Sequence, residues 1–198
     1  MCLKLNMQNV SIWRVIRGGF MKNKLSVATV AALIVWSLPA AAGDLFDEVR
    51  FGGSASLDSS RSQDHGFIGS AEVYLAPFSS SNSGVAKVLL EPRIQVGISG
   101  GPGATDQIYT GLNWHLPITD TLFAEFGAGG TVHNGNLDGG AGPRLGCRLL
   151  FREHAALGVK VTENVNVLAT VDHSSNANLC EGPNDGLTHA GLALGVKF

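Results

Sequence analysis

The chain has 198 residues and a formal net charge of −2, from 14 Lys and Arg against 16 Asp and Glu. A length in this range sets the expectation of one domain, and so near-neutral a balance excludes an electrostatic nucleic-acid binder.

Lys22 and Lys24 precede an apolar run from Leu25 to Leu38, which is followed by Pro39 and by Ala40, Ala41 and Ala42. Charged, apolar and small-residue regions in that order are those of a secretory signal, cleaved after Ala42. The run is about 14 residues long, short of the ~20 that a spanning helix needs. Met21 is a conventional start for such a signal, so residues 1–20 read as an upstream extension, 21–42 as the signal and 43–198 as the folded domain.

Beyond residue 43 no apolar stretch approaches helix-spanning length. Apolar residues instead recur at every second position, over segments long enough for the ~9 to 11 residues of a tilted transmembrane strand. Eight such segments follow in chain order. The first runs from Val49 to Leu57, with Arg50, Ser54 and Ser56 inward, and the second from Gly66 to Phe78. The third sets Val88, Leu90, Pro92, Ile94, Val96 and Ile98 against Glu91, Arg93 and Gln95. The fourth sets Ile108, Leu112, Trp114, Leu116 and Ile118 against Tyr109, Asn113 and His115. The fifth sets Leu122, Ala124, Phe126, Ala128 and Val132 against Glu125 and His133. The sixth, Arg144 to Val161, alternates Leu145, Cys147, Leu149, Phe151, Ala155, Leu157, Val159 and Val161 with Arg144, Arg148, Arg152 and Lys160. The seventh, Val165 to Asn176, carries Val165, Val167, Ala169 and Val171 into His173 and Ser175 on one face. The eighth sets Ala190, Leu192, Leu194, Val196 and Phe198 against His189 and Lys197.

An even count suits a closed all-β barrel with both termini on the periplasmic side, and a terminal aromatic on an outward row resembles the assembly signal of outer-membrane proteins. The expected fold is therefore an eight-stranded antiparallel transmembrane barrel of the outer membrane. Eight strands leave an interior just wide enough for side chains. Arg50, Glu72, Glu91, Arg93, Glu125, Arg148, Arg152, Lys160 and Asp172 are expected to pair there, without a pore. The soluble alternative, a lipocalin-like barrel, would have to turn these faces inside out.

Within this frame His173-Ser174-Ser175-Asn176-Ala177, then Pro183-Asn184-Asp185-Gly186 and a final strand ending in an aromatic, resembles the outer-membrane lipid A 3-O-deacylases and their acyloxyacyl-hydrolase-like relatives. The match is specific over residues 171–198; the segments Val132 to Gly135 and Leu150 to Glu153 are also similar to the family. The resemblance implies an esterase in which Ser175 is the nucleophile, His173 its base and Asn176 an oxyanion-stabilising residue. It implies lipid A of lipopolysaccharide as partner and no cofactor.

Elementary geometry supports the pair independently. Residues i and i+2 of a strand point the same way less than ~7 Å apart, within reach of an imidazole and a hydroxyl. Eight steps from Val165 to His173, at ~3.3 Å each and a tilt near 40°, climb about 20 Å of the ~25 Å apolar band, toward the outer leaflet. Taken alone, His-x-Ser is a commonplace surface pair, and it is the position that gives it meaning.

The chain departs from the family at the triad acid. Where better-known members carry a Glu two residues after the Gly of Pro-Asn-x-Gly, this chain has Thr188, which can accept a hydrogen bond and supply no charge. Glu153 falls on the otherwise apolar row of the sixth strand, where a charge is costly without a partner. A three-residue hairpin at 162–164 would place it opposite His173; the competing reading is that Glu153 marks a turn or bulge. Glu181 and Asp185 are weaker candidates.

Cys147 and Cys180 both fall on the extracellular side, where a disulfide or two free thiols are equally open. They do not make a zinc site, and no metal is expected. The leading function is removal of an ester-linked acyl chain from lipid A. The competing ones are a non-catalytic structural or adhesive barrel and an acyltransferase, which would need an internal acyl pocket. A homodimer stays open.

Overall fold

The structure is a computed structural model and describes residues 45–58, 64–76 and 83–198. The expected upstream extension and signal lie outside the described residues. Eight strands form one closed antiparallel barrel in sequence order: β1 (Phe46–Ser56), β2 (Ile68–Leu75), β3 (Arg93–Gly100), β4 (Gln107–Pro117), β5 (Leu122–His133), β6 (Leu149–Lys160), β7 (Val165–Ser175) and β8 (Leu187–Lys197). Among the described residues one short helix, α1 (Gly84–Leu90), lies between β2 and β3. The last strand closes on the first, from Glu48 opposite Lys197 to Ser56 opposite His189.

Period-two alternation explains both faces. Val96, Ile98, Ile108, Leu112, Phe126, Val132, Leu157 and Leu192 are exposed, while Arg50, Arg93, Gln95, Asn113, Glu125 and His189 between them are buried. Apolar outside and polar inside is the arrangement of a barrel whose solvent is lipid. Short turns at 118–121 and 161–164 mark the periplasmic end. At the other end lie L1, described at 57–58 and 64–67, and the longer loops L2 (101–106), L3 (134–148) and L4 (176–186).

The lumen is filled in layers. Toward the periplasmic side Arg50 bonds both carboxylate oxygens of Glu48 and both of Glu125, and Arg93 bridges Asp47, Glu48, Glu125 and Asn113. Two buried guanidiniums sharing two buried carboxylates meet the condition that makes burial of charge tolerable, since every charge has an opposite partner and directed hydrogen bonds. Above them a cavity of about 40 Å³ is lined by Glu72, Tyr109, Arg152, His154, Asp172 and His189. It has room for about a water molecule, not for an acyl chain. Leu145, Leu150 and Leu187 close the extracellular end as an apolar cap.

Against the sequence expectation the first strand begins earlier, at Phe46, and the second is shorter, Ile68–Leu75; the larger differences fall in two places. Val88 and Leu90 belong to α1, not to the third strand: Pro92 cannot continue a helix, so it separates α1 from β3, and the apolar spacing that ran through it was coincidental. The sixth strand begins at Leu149 rather than Arg144, because Gly146 adopts a φ of 71° and breaks the alternation. Leu145 consequently turns inward into the cap instead of facing lipid.

Three of the charges expected in the lumen lie elsewhere. Glu91 sits in the connection before β3, and Lys160 is exposed at the end of β6. Arg148 donates to the carbonyl oxygens of His133 and Gly135 at the rim.

Candidate functional site

β7 carries the site because its parity does not change from end to end. Val167 and Val171 face lipid, and two steps further the same row reaches His173 and then Ser175, both half-buried. Ser174 between them points inward, fully buried, and donates to Oε1 of Gln107 at 3.2 Å. The two neighbouring serines therefore occupy opposite sides of the wall.

His173 stands between two strands. Across the β6–β7 ladder it is paired with Glu153, in the register set by the turn at 162–164, where Val161 N–H donates to Val165 O. Across the β7–β8 ladder it is paired with Thr188, and its Nδ1 lies 3.0 Å from Thr188 Oγ1. With Nδ1 directed at Thr188, the Cε1–Nε2 side of the ring lies against Gly186: a Cβ on Gly186 would sit 3.1 Å from His173 Cε1 and 3.7 Å from its Nε2. One ring nitrogen is thus held by a hydroxyl on the neighbouring strand.

Around this pair the loops are cross-tied. Cys147 of L3 is bonded to Cys180 of L4. Arg144 of L3 makes a two-pronged pair with Asp185 of L4, at 3.0 and 3.1 Å. Asp185 is thus engaged with Arg144, and Glu181 is exposed in the same loop.

Asn176 does not have the free amide expected of an oxyanion donor. Its Nδ2 donates to Leu145 O at 3.0 Å and to Pro183 O at 3.2 Å, its Oδ1 accepts from Asn178 N–H, and its own N–H donates to Asn184 Oδ1. Both side-chain amide hydrogens are thus committed to holding L3 and L4 over the strand end, and Ala177 and Asn178 take positive φ values of 52° and 58° to make the turn. Asn176 is a loop staple.

Three groups escaped the sequence reading. Asp58, just past β1, accepts a hydrogen bond from Thr188 N–H at 2.9 Å. Glu48 lay one residue before the first strand as delimited there, although it shares the parity of Arg50. Asp64 of L1 accepts from Thr105 N–H and Oγ–H of L2 and pairs with His189. Burial by itself would raise the Asp64 carboxyl, but the bonds from His189 and Thr105 outweigh it and hold the group below the usual carboxylate value.

Fold and placement together define an outer-membrane barrel with a histidine and a serine side by side on the outward row of β7 near the extracellular rim. Residues 112–197, which include His173, Ser175, Glu153 and Thr188, match the family "Lipid A 3-O-deacylase (PagL)". The crystal structure of the outer membrane enzyme PagL superposes with a TM-score of 0.58 at 18% identity, covering 76% of this chain and 99% of that one. The N-terminal barrel of Pseudomonas aeruginosa OprF (TM-score 0.48, 16% identity, 77% and 97% covered) and Neisserial surface protein A (0.49, 12%, 79% and 98%) are also similar. None of the curated proteins matches in sequence. Residues 112–197 thus carry a likeness to the PagL lipid A 3-O-deacylases, and the chain is an outer-membrane eight-stranded barrel.

Proposed function

We propose that the protein hydrolyses an ester-linked acyl chain of lipid A, the 3-O-acyl chain that the family name denotes, at the outer leaflet. Export would depend on the signal at 21–42, with 43–198 as the mature domain. The observation that carries the reading is the His173–Ser175 pair on the lipid face of β7, with His173 Nδ1 already held by Thr188. In the reaction Ser175 Oγ attacks the ester carbonyl carbon and passes its proton to His173 Nε2. His173 then returns a proton to the departing sugar oxygen, leaving an acyl-serine that water cleaves by the same route in reverse. The imidazolium formed between these steps is stabilised by the negative charge of Glu153 on the adjoining strand. No cofactor takes part.

The lumen bears on the acyltransferase alternative, since about 40 Å³ among charged side chains does not house an acyl chain. Mass spectrometry of lipid A from cells producing the protein is the test. Loss of one acyl mass is expected, abolished by Ser175→Ala and by His173→Ala with the barrel still assembled, and retained by the lumen-facing Ser174→Ala. A gain of acyl mass would make the protein a transferase. An unchanged lipid A would leave a structural barrel.

A further inference from the structure

The triad position that the family fills with a carboxylate is neutral here, yet a carboxylate stands directly behind it. Asp58 Oδ2 accepts from Thr188 N–H at 2.9 Å, while Leu57 N–H donates to Thr188 O at 2.8 Å, so Thr188 is gripped at both backbone polar groups by the end of β1. Asp58 is itself held: its N–H donates to Ser56 Oγ at 3.2 Å, and Ser56 Oγ lies 3.3 Å from the same Oδ2. Two hydrogen bonds therefore meet at Thr188, one from its side-chain Oγ1 to His173 Nδ1 and one from its backbone N–H to Asp58.

We infer that Asp58 is a positioning residue of the esterase site: it fixes Thr188 as the acceptor of the His173 imidazole and supplies from β1 the negative charge that Thr188 lacks. This rests on the Ser175 and His173 reading proposed above. The physical requirement is simple. A hydroxyl can orient an imidazole but cannot offset the charge the ring acquires when it takes the serine proton, and a carboxylate one residue away in a lipid-walled, weakly screened site can.

There is a topological consequence. β7, β8 and β1 each contribute one member, and Asp58 meets Thr188 only across the seam where the last strand closes on the first. The site is complete only when the barrel is closed, which would keep an esterase from acting before it is in the membrane.

The test uses the full mature barrel, purified and reconstituted with lipid A in mixed micelles, with assembly checked by heat-modifiable gel migration. Asp58→Asn keeps an oxygen to accept Thr188 N–H and removes the charge. The expected result is a kcat about tenfold lower, about 1.4 kcal/mol, with KM within twofold. The acidic limb of the kcat profile should move to lower pH, because a base deprived of a neighbouring anion loses its proton more readily. Glu153, the other carboxylate facing the ring, is left intact here, and the comparison is repeated in Glu153→Gln.

Asp58→Glu should recover part of the loss. If Asp58→Asn assembles poorly, Asp58→Asn with Thr188→Glu returns the carboxylate to the ring, and recovered turnover in the assembled fraction supports the inference. Wild-type kcat and pH profile in assembled Asp58→Asn would overturn it. Ser175→Ala assayed alongside separates the two readings: if it is inactive while Asp58→Asn is normal, only the role of Asp58 fails, and if it is active the serine mechanism itself is wrong.

Discussion

The Nδ1 of His173 and the hydroxyl of Thr188 lie 3.0 Å apart across the β7–β8 ladder, so a neutral side chain holds the nitrogen that a carboxylate holds in the usual triad. Glu153 faces the same imidazole from β6. In the mechanism proposed above, what one acid does elsewhere is divided among neighbours, with Thr188 orienting the ring and Glu153, alongside Asp58, supplying charge.

That division predicts distinct kinetic signatures. Glu153→Gln should lower kcat at least about tenfold, ~1.4 kcal/mol of transition-state stabilisation, with little change in KM. Thr188→Ala should cost less, and Thr188→Ser should preserve activity because the hydroxyl is kept. Thr188→Glu should partly rescue Glu153→Gln. Wild-type turnover in Glu153→Gln together with a large loss in Thr188→Ala would show that the site runs on the orienting hydroxyl without help from β6.

The outward assignment of β8 can be tested through assembly. Leu192 is 65% exposed on the lipid face. Leu192→Lys should destabilise the barrel by ~2 to 4 kcal/mol if it lies near the midplane, falling toward the interfaces. Asp120→Lys, in the periplasmic turn, should be neutral. The readout is the fraction of heat-modifiable barrel after refolding into lipid, and equal behaviour of the two variants would mean that the face assignment is wrong.

Strand parity was legible because it follows from alternation alone: the lipid face of β7 and the lumen face of Arg50, Arg93 and Glu125 needed no tertiary information. The opposition of Glu153 and His173 was legible too, since a three-residue turn after Val161 fixes the register of the whole pair. Asp58 was not, because it is 130 residues from Thr188 in sequence and meets it only across the closing seam. The beginning of β6 was hidden for another reason. Leu145 and Cys147 kept the apolar spacing of a strand, while Gly146, at positive φ, had already turned the chain into L3. The contacts of the Asn176 amide were not legible either, because a motif position reveals residue type but not which carbonyls its amide will meet.

The disulfide between Cys147 and Cys180 joins the two loops that frame the site. It closes a 33-residue separation, for which a chain-entropy estimate gives about 3 to 4 kcal/mol. Cys147→Ser with Cys180→Ser should lower the temperature at which the barrel loses heat-modifiability, and should raise KM more than it lowers kcat, since the chemistry on β7 stays in place while the loops above it loosen. An oxidised and a reduced sample of equal thermal resistance would show that the Arg144–Asp185 pair and the Asn176 contacts hold the loops unaided.

Gly186 offers the most specific test of how the ring is placed. It sits at a φ of 72°, where a side chain costs roughly 1–2 kcal/mol, and a Cβ there would come within 3.1 Å of His173 Cε1. The ring cannot simply retreat, because Nδ1, the atom next to Cε1, is fastened to Thr188. Gly186→Ala should therefore displace the imidazole from Ser175 and lower kcat about tenfold or more while the barrel still assembles. Gly182→Ala is the control: it lies in the same loop at a φ of 121° and would strain the backbone similarly, but its Cβ would meet only Gly146, at 3.5 Å. If the two variants lost activity equally, loop strain rather than ring placement would be the cause, and the contact between Gly186 and His173 would have no part in the chemistry.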